Sequence, residues 1–406
     1  MRNQRLLLCA LGCALGASFM ACGGATLGTL PDNPDAVADA AVSSDGSTSQ
    51  DDQNLVGNVS LFAGDCRKAP GTPSVLVAKT SSPGTGLAVE PYGILSDREG
   101  LFVLRSAGDG PTQGLEILSW RAGSIYPDTY ERRLAWVPYV QGAPLVRTDS
   151  FIGNVRVASA YPEVYAWQTA LPIQQGIFAV VGEGNTLYHA TAASGPTPAK
   201  IERINPRDRS QKVATQWEDF VSLSTGLTPT AMAVDETNLY VAISVPSPRA
   251  MSPFLRINKS TKDVTTLNSE PLAESADPIQ TGGMDQDIAV LYIAASRGDK
   301  TTTWGIASVQ KMALEARTNY FPTAENSSKV GSISVVHIDS ASIYYLVLAP
   351  PTPGSIRTHS IRRMCRDGSN DIEVASATGT MPMVDFAIDG TKVFYSSEGA
   401  LYSVSK

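Results

Sequence analysis

The sequence predicts an all-β fold in which four-stranded antiparallel sheets repeat around a ring. The main observation is a recurring pattern: an acid, three turn residues, a bulky apolar residue and then an aromatic residue. From Glu183 onward the acids lie 52, 52, 52 and 50 residues apart. A period of this length, filled with short strands, is typical of a β-propeller. The occurrences are Asp97 with Leu101-Phe102, Glu183 with Leu187-Tyr188, Asp235 with Leu239-Tyr240, Asp287 with Leu291-Tyr292, Asp339 with Ile343-Tyr344, and Asp389 with Val393-Phe394.

Residues 229–268 form the repeat with the fewest interruptions. They predict four strands, over TAMAVD, LYVAIS, FLRIN and DVTTL, each rich in β-branched, aliphatic or aromatic residues and bounded by turn residues. Four antiparallel strands are the blade of a propeller. The acid before the tight turn can accept backbone N–H bonds and so fix the turn. We favour this interpretation of the acids over a set of metal ligands.

A degenerate repeat fits between the first and second occurrences, with Gln141 in place of the acid and Leu145-Val146 in place of the apolar-aromatic pair. Counting it gives seven blades, and the shorter spacing in this region leaves six as the alternative. The chain ends at ALYSVSK, which aligns with the third strand of a blade, whereas PSVLVAK at 73–79 resembles a fourth strand. We therefore expect the N-terminal strand to complete the C-terminal blade, which removes exposed sheet edges.

Residues 1–21 predict a targeting segment. Arg2 and Arg5 precede the apolar run LLLCALGCALGASFM, which is short for a membrane span. The segment resembles a bacterial lipoprotein signal, and the resemblance implies that Cys22 carries the lipid. Phe19 departs from the pattern, because such signals prefer leucine there. Ordinary signal cleavage nearby and an uncleaved anchor are the alternatives.

Residues 22–56 predict a flexible tether, and residues 57–406 the propeller domain. The segment has six aspartates between positions 31 and 54 and no lysine or arginine. Such a composition buries too little apolar surface to fold, and its like charges keep it extended. The whole chain has a net charge of −7, much of it in this tether, and shows no basic face. Nucleic-acid binding is therefore not expected.

Two cysteines, Cys66 and Cys365, remain in the predicted domain. In an exported protein an isolated pair favours a disulfide, and two unpaired thiols are the alternative. The predicted positions are at the outer rims of adjacent blades, which makes a bridge geometrically reasonable. It would close a loop of roughly 300 residues, worth on the order of 5 kcal/mol in the chain-entropy account.

The sequence shows no catalytic motif. It lacks Gly-x-Ser-x-Gly, the serine-hydrolase elbow, and it lacks a glycine-rich phosphate loop. Its three histidines, His189, His337 and His359, fall on different blades without the close spacing of a zinc site. His337 lies on a predicted innermost strand and could face the central channel. No catalytic residue, metal or cofactor is predicted.

Long loops predict where an interaction surface would lie. The turns between first and second strands are short, whereas the loops between second and third strands and between blades are long. In a propeller these two long classes emerge together, at what we call the loop-rich face, and function concentrates on loops held by a rigid scaffold. Arginine and tryptophan are enriched among interface anchors. The predicted interaction residues are Arg249, Arg297, Asp299, Lys300 and Trp304.

The stretches AVDETNLYVAI and AIDGTKVFYSSEGALYSVSK resemble the repeats of bacterial exported β-propellers of the YVTN, NHL and TolB-like groups. Together with the lipoprotein signal and the aspartate-rich tether, the chain is similar to the propeller lipoproteins of myxobacteria and related Gram-negative bacteria. The resemblance covers residues 73–406. It implies the fold and a place in the cell envelope, at the outer membrane. It implies no functional residue.

The leading hypothesis is a monomeric, lipid-anchored, non-enzymatic binding module that presents its loop-rich face to a protein or a glycan. The alternative is a propeller enzyme, of the lactonase, lyase or glycosidase kind, with its site in the central channel. A purely structural envelope component is a third interpretation. Three or more acidic, amide or histidine side chains converging from innermost strands would favour an enzyme or a metal site.

Overall fold

The computed structural model describes much of the chain from residue 65 to residue 406. The described residues are 65–77, 91–97, 100–107, 114–121, 131–135, 145–148, 151–155, 163–166, 169–172, 177–184, 186–191, 193, 197–204, 218–224, 226–245, 253–267, 278–297, 303–311, 318–325, 329–350, 356–379, 383, 385–398 and 400–406. The predicted signal segment, Cys22 and the tether lie outside this part of the chain and stay predictions.

The described strands form seven four-stranded antiparallel sheets. Sheet 1 contains β2 (Pro91–Asp97), β3 (Gly100–Ala107), β4 (Gly114–Arg121) and β5 (Glu131–Ala135). Sheet 2 contains β6 (Leu145–Thr148), β7 (Phe151–Val155), β8 (Glu163–Ala166) and β9 (Thr169–Pro172). Sheet 3 contains β10 (Ile177–Glu183), β11 (Thr186–Thr191), β12 (Lys200–Ile204) and β13 (Glu218–Ser222).

The remaining sheets follow the same order. Sheet 4 contains β14 (Thr228–Val234), β15 (Asn238–Ser244), β16 (Phe254–Asn258) and β17 (Val264–Thr266). Sheet 5 contains β18 (Thr281–Gln286), β19 (Val290–Arg297), β20 (Thr303–Gln310) and β21 (Thr318–Pro322). Sheet 6 contains β22 (Ser332–Ile338), β23 (Ser342–Leu348), β24 (Arg357–Cys365) and β25 (Ile372–Gly379). Sheet 7 contains β26 (Phe386–Ile388), β27 (Lys392–Ser397), β28 (Ala400–Ser405) and β1 (Ser74–Val77).

The first strands of the sheets close a ring. In the order β2, β6, β10, β14, β18, β22 and β26, each first strand contacts the next, and β26 contacts β2. Sheets arranged in this way around a central channel are a β-propeller, which confirms the predicted fold class. The number of sheets in the described residues is that of the seven-blade prediction.

The chain closes as predicted. β1 pairs antiparallel with β28, with Val75 opposite Tyr402, so the N-terminal strand completes sheet 7. A disulfide joins Cys66 to Cys365, whose Cα atoms are 5.2 Å apart, and ties the segment before β1 to the end of β24. The side chain of Asn370 adds a 2.8 Å hydrogen bond to the carbonyl oxygen of Cys66. The predicted disulfide is therefore present.

The prediction for the degenerate repeat was wrong by one strand. Leu145-Val146 was expected to open a second strand, but these residues lie in β6, the first strand of sheet 2. Residues 151–155, which include the start of the expected third strand, form the second. The error came from requiring three turn residues after an acid, because β6 and β7 are separated by only Asp149 and Ser150.

Four of the recurring acids hold their tight turns, as predicted. One carboxylate oxygen of Asp235 accepts the backbone N–H groups of Thr237 and Asn238 at 3.1 and 2.9 Å. Equivalent pairs of bonds occur at Asp287, Asp339 and Asp389. The repeat in the sequence is therefore, in part, a repeat of one turn geometry.

Three of these acids also bind a cation from the next sheet. The cation follows the third strand of that sheet and lies 5.0–5.3 Å from the centre of the repeat's aromatic ring. We call this arrangement the inter-sheet clamp. The acid, cation and aromatic residue are Asp235, Lys311 and Tyr240; Asp287, Arg366 and Tyr292; and Asp339, Lys406 and Tyr344. A related ion pair joins Glu183 to Lys259 at 2.5 Å.

Candidate functional site

A cavity of about 410 Å³ opens at the loop-rich face. Its lining comes from the connection between β21 and β22, from the ends of β23 and β24 next to the loop that joins them, and from one residue of β25, so both long loop classes contribute. The polar lining residues are Glu325, Lys329, Arg357, Thr358, Ser360 and Glu373. The apolar lining residues are Val347, Ala349, Pro350 and Ile356.

A buried polar network holds one wall of this cavity. Arg362, whose side chain is 9% exposed, donates from Nε to Asp371 Oδ1 and from Nη1 to Glu325 Oε2, each at 3.0 Å. Thr323 bonds the phenol of Tyr345 at 2.9 Å and also Asp371 Oδ2 at 3.2 Å. Burial and the nearby Asp371 carboxylate raise the pKa of the Tyr345 phenol well above its usual value. The start of the connection, including Glu325, is therefore fixed to sheet 6.

The remaining charged groups of the cavity form fewer bonds to other protein groups. Within the described residues, the side chains of Arg357 and Glu373 form no hydrogen bond or ion pair. Lys329 is 73% exposed, and its Nζ lies 3.9 Å from Glu325 Oε1. An ion pair that long and that exposed contributes little, so the ammonium group remains available.

Three titratable side chains meet in the central channel. His337 on β22 has Nδ1 3.8 Å from Asp285 Oδ2 on β18, and its charge also interacts with Asp385, which precedes β26. The side chain of His337 is surrounded by protein yet 31% accessible to water, as expected inside a narrow channel. By the stated criterion of three converging groups, this arrangement favours a channel site.

Hydrogen bonds already engage these three side chains. Asp285 Oδ2 accepts the backbone N–H of Ile338 in sheet 6 at 2.9 Å, and Asp385 Oδ2 accepts that of Ile94 in sheet 1 at 3.1 Å. His337 Nε2 lies 3.0 Å from the carbonyl oxygen of Phe386 in sheet 7. The three groups therefore link sheets 5, 6, 7 and 1 in succession around the channel.

The channel environment shifts two pKa values. Burial alone would lower the pKa of His337, but Asp285 and Asp385 outweigh burial and raise it. Burial raises the pKa of the Asp385 carboxyl to about 6, although the N–H of Ile94, the charge of His337 and the N–H of Phe386 act in the other direction. The channel thus holds a histidine whose pKa is raised and an acid whose pKa is about 6.

The predicted interaction residues have mixed placements. Trp304 is 4% exposed and packs with Tyr292 and Ile333 in the core between sheets 5 and 6, so it does not belong to the surface. Arg297 ends β19 at the loop-rich face and is half-buried. Arg249, Asp299 and Lys300 lie outside the described residues.

Sequence reasoning missed a buried acid–base pair in sheet 3. His189 and Glu202 are opposite each other on β11 and β12, both almost fully buried, with His189 Nε2 2.7 Å from Glu202 Oε2. Burial would raise the pKa of Glu202, but His189 and Lys200 lower it to about 2. The pair joins neighbouring strands of one sheet, and we assign it a structural role.

No group of histidine, cysteine, aspartate and glutamate side chains in the described part of the chain is arranged to hold a metal ion. The same residues contain no helix that is both long and apolar enough to cross a membrane.

Solved structures resemble this chain at low identity. An oligogalacturonate lyase in complex with manganese is 11% identical over 83% of this chain and 98% of its own, with a TM-score of 0.49. The β-propeller domain of the Trilobed protease from Pyrococcus furiosus is 9% identical over 78% and 93%, with a TM-score of 0.46. BamB from Moraxella catarrhalis is 8% identical over 82% and 97%, with a TM-score of 0.41. No protein-family model and no curated protein sequence matches the chain. Likenesses this distant carry no functional residue or activity to this chain.

Proposed function

We propose that this chain is a lipid-anchored propeller of the cell envelope that acts as a non-enzymatic binding module through its loop-rich face. The observation that carries the proposal is the 410 Å³ cavity at that face. Its volume lies within the range of about 300–1,000 Å³ that small-molecule and cofactor sites occupy. Glu325, on one wall, is fixed by Arg362, and a site held in place before binding loses less entropy when it binds.

The envelope location rests on separate support. The N-terminal sequence resembles a lipoprotein signal ending at Cys22, and the aspartate-rich segment after it would hold the propeller away from the lipid surface. The Cys66–Cys365 disulfide suits an oxidising compartment. We propose that the protein sits at the outer membrane as a monomer.

The proposal is tested by photo-cross-linking from two faces of the mature protein. One variant carries the photoreactive residue in place of Lys329 at the cavity, and the matched variant carries it in place of Glu236, an exposed residue at the tight turns. We expect recurrent protein or glycan adducts only from position 329 in envelope preparations. Equal adducts from both positions, or none from 329, would refute a binding role for this face.

A second candidate is an enzyme with its site in the channel. The Asp285, His337 and Asp385 cluster favours it, because the group pairs a histidine of raised pKa with an acid of pKa about 6. The hydrogen bonds to neighbouring sheets weigh against it. Turnover of a lactone, an oligouronide or a glycoside by the wild type, abolished by His337→Gln with the fold intact, would establish the enzyme. Absence of turnover across these substrate classes would count against the enzyme.

A further inference from the structure

We propose that the cavity at the loop-rich face binds a peptide segment that carries an acidic and a basic side chain next to an apolar one. The inference rests on the proposed function and gives that binding site its ligand class. It follows from three properties of the lining: balanced charge, an exposed aliphatic surface and the residue types around them.

The charges of the cavity are balanced. Arg357 and Lys329 place two cations in the lining, and Glu373 and Glu325 place two carboxylates there, of which Glu325 is also bonded to Arg362. The Arg357 guanidinium can donate two parallel hydrogen bonds to a carboxylate. Glu373 is exposed and can accept bonds from an ammonium or a guanidinium group. A ligand of single charge would meet repulsion from one of these pairs, whereas a ligand with both charges meets attraction from each.

An aliphatic surface lies next to these charges. Ile356 is 71% exposed, and Pro350, Ala349 and Val347 line the same cavity. An exposed apolar patch with a polar rim is a common feature of interaction sites. An apolar side chain of the ligand would bury Ile356 and remove its contact with water. The hydroxyl groups of Thr358 and Ser360 can bond the polar backbone that such a ligand carries.

The residue types favour a peptide over a nucleic acid. Among the residues described around the cavity, none is aromatic, so no flat surface is present on which a base could stack. Two carboxylates in the lining oppose a phosphate backbone. A peptide places opposite charges and an aliphatic group within two or three successive residues.

The test uses fluorescein-labelled peptides of defined sequence and measures their fluorescence polarisation with the full-length mature protein. The mixed-charge probe is Gly-Ser-Asp-Leu-Lys-Ser-Gly, and the single-sign probes replace Lys by Asp or Asp by Lys. We expect the mixed-charge probe to bind about tenfold more tightly than either single-sign probe. We also expect its affinity to fall as the salt concentration rises.

Charge reversal then locates the binding. Glu373→Lys is expected to shift the preference toward the all-acidic probe, and Arg357→Met to remove the preference for an acidic side chain. Glu236→Lys makes the same charge change at the tight turns and is expected to leave all affinities unchanged. The proposal is overturned if the three probes bind alike, or if Glu236→Lys changes the preference as Glu373→Lys does.

The outcomes separate this inference from the function on which it rests. Face-specific adducts from position 329 that consist of glycan, with no preference among the peptides, would overturn the peptide assignment and keep the binding module. Absence of face-specific adducts together with no peptide binding would overturn both. Selective binding of the mixed-charge probe, sensitive to Glu373→Lys, supports both.

Discussion

The cavity and the channel differ in what their charged side chains already bond. In the channel, carboxylate oxygens of Asp285 and Asp385 accept backbone N–H groups of the adjacent sheet, and His337 bonds a carbonyl oxygen. In the cavity, the side chains of Arg357 and Glu373 form no such bond within the described residues. Convergence of acids and bases therefore identifies a binding site only where their hydrogen-bonding capacity is still free.

The largest expected effect is at the wall of the cavity. Arg362→Ala should lower the free energy of unfolding by about 3–5 kcal/mol, because it leaves the largely buried Asp371 and the partly buried Glu325 carboxylates without the cation of Arg362. Urea unfolding monitored by fluorescence measures this loss. If that variant fails to fold, Arg362→Lys should fold and show a smaller loss. A change below about 1 kcal/mol would show that the ion pairs of Arg362 with Asp371 and Glu325 do not stabilise the fold.

A smaller loss is expected in the channel. Asp285→Ala should cost about 1–3 kcal/mol, because the N–H of Ile338 loses its acceptor while water has only limited access. Asp285→Asn keeps one carbonyl oxygen and should cost less. Urea unfolding of both variants gives the comparison. If Asp285→Ala costs nothing, the channel carboxylates do not tie the sheets together, and the contrast with the cavity fails.

The pH dependence sharpens the same contrast. The folded-state pKa values of His337 and Asp385 are raised, so their contribution to stability is present at low pH and is lost as the pH rises through those values. Burial lowers the pKa of His189 and His359. These two histidines therefore make the protein more stable as the pH rises, which opposes the effect of His337 and Asp385.

The quantity to measure is therefore the stability of the wild type minus that of the double variant His337→Gln/Asp385→Asn. We expect this difference to fall between pH 4 and pH 8 by on the order of 1 kcal/mol, after allowance for water in the channel. A difference that stays constant or rises with pH would contradict the assignment of raised pKa values.

The smallest effect on stability is expected from Arg357→Ala. Removing a charge without a bonded partner should change the free energy of unfolding by no more than about 0.5 kcal/mol. The same variant should lose affinity for a mixed-charge peptide. A loss as large as that of Arg362→Ala would mean that Arg357 also supports the fold.

The fold was predictable because its signals are local. In four tight turns an acid lies two and three residues before the N–H groups whose bonds it accepts, so the geometry repeats within a short window of sequence. The closing strand was predictable because the last repeat has only three strands and the region before the first repeat has one strand without a sheet. Pairing the two completes a four-stranded sheet. Sheet 2 was misaligned by one strand, because its turn is shorter than the pattern used to find it.

The inter-sheet clamp was not predicted, although the sequence contains its signal. Lys311 lies 76 residues after Asp235, and the pairing depends on how one sheet packs on the next. A comparison of the third strands alone would have found the cation, because Lys259, Lys311, Arg366 and Lys406 each follow one.

The candidate site was predictable only as a region. The loop-rich face was expected, and the connections TAENSSKVG and APPTPG contain or adjoin much of the cavity lining. The residues themselves were missed, because the cavity joins two loops that are distant in sequence. Trp304 was assigned to the loop-rich face but is the second residue of β20, a strand buried on both faces, and its side chain packs in the core.

The pairing of β1 with β28 sets an order of events for the newly made chain. Ser74 bonds Ser403, 329 residues later. β1 is made first but has no partner strand until β28 has been made, so sheet 7 is completed last. During that interval Cys66 remains a thiol, because Cys365 also emerges late. Oxidation before residue 365 is present would join Cys66 to another thiol, so the timing of disulfide formation would affect how much of the chain reaches the closed ring.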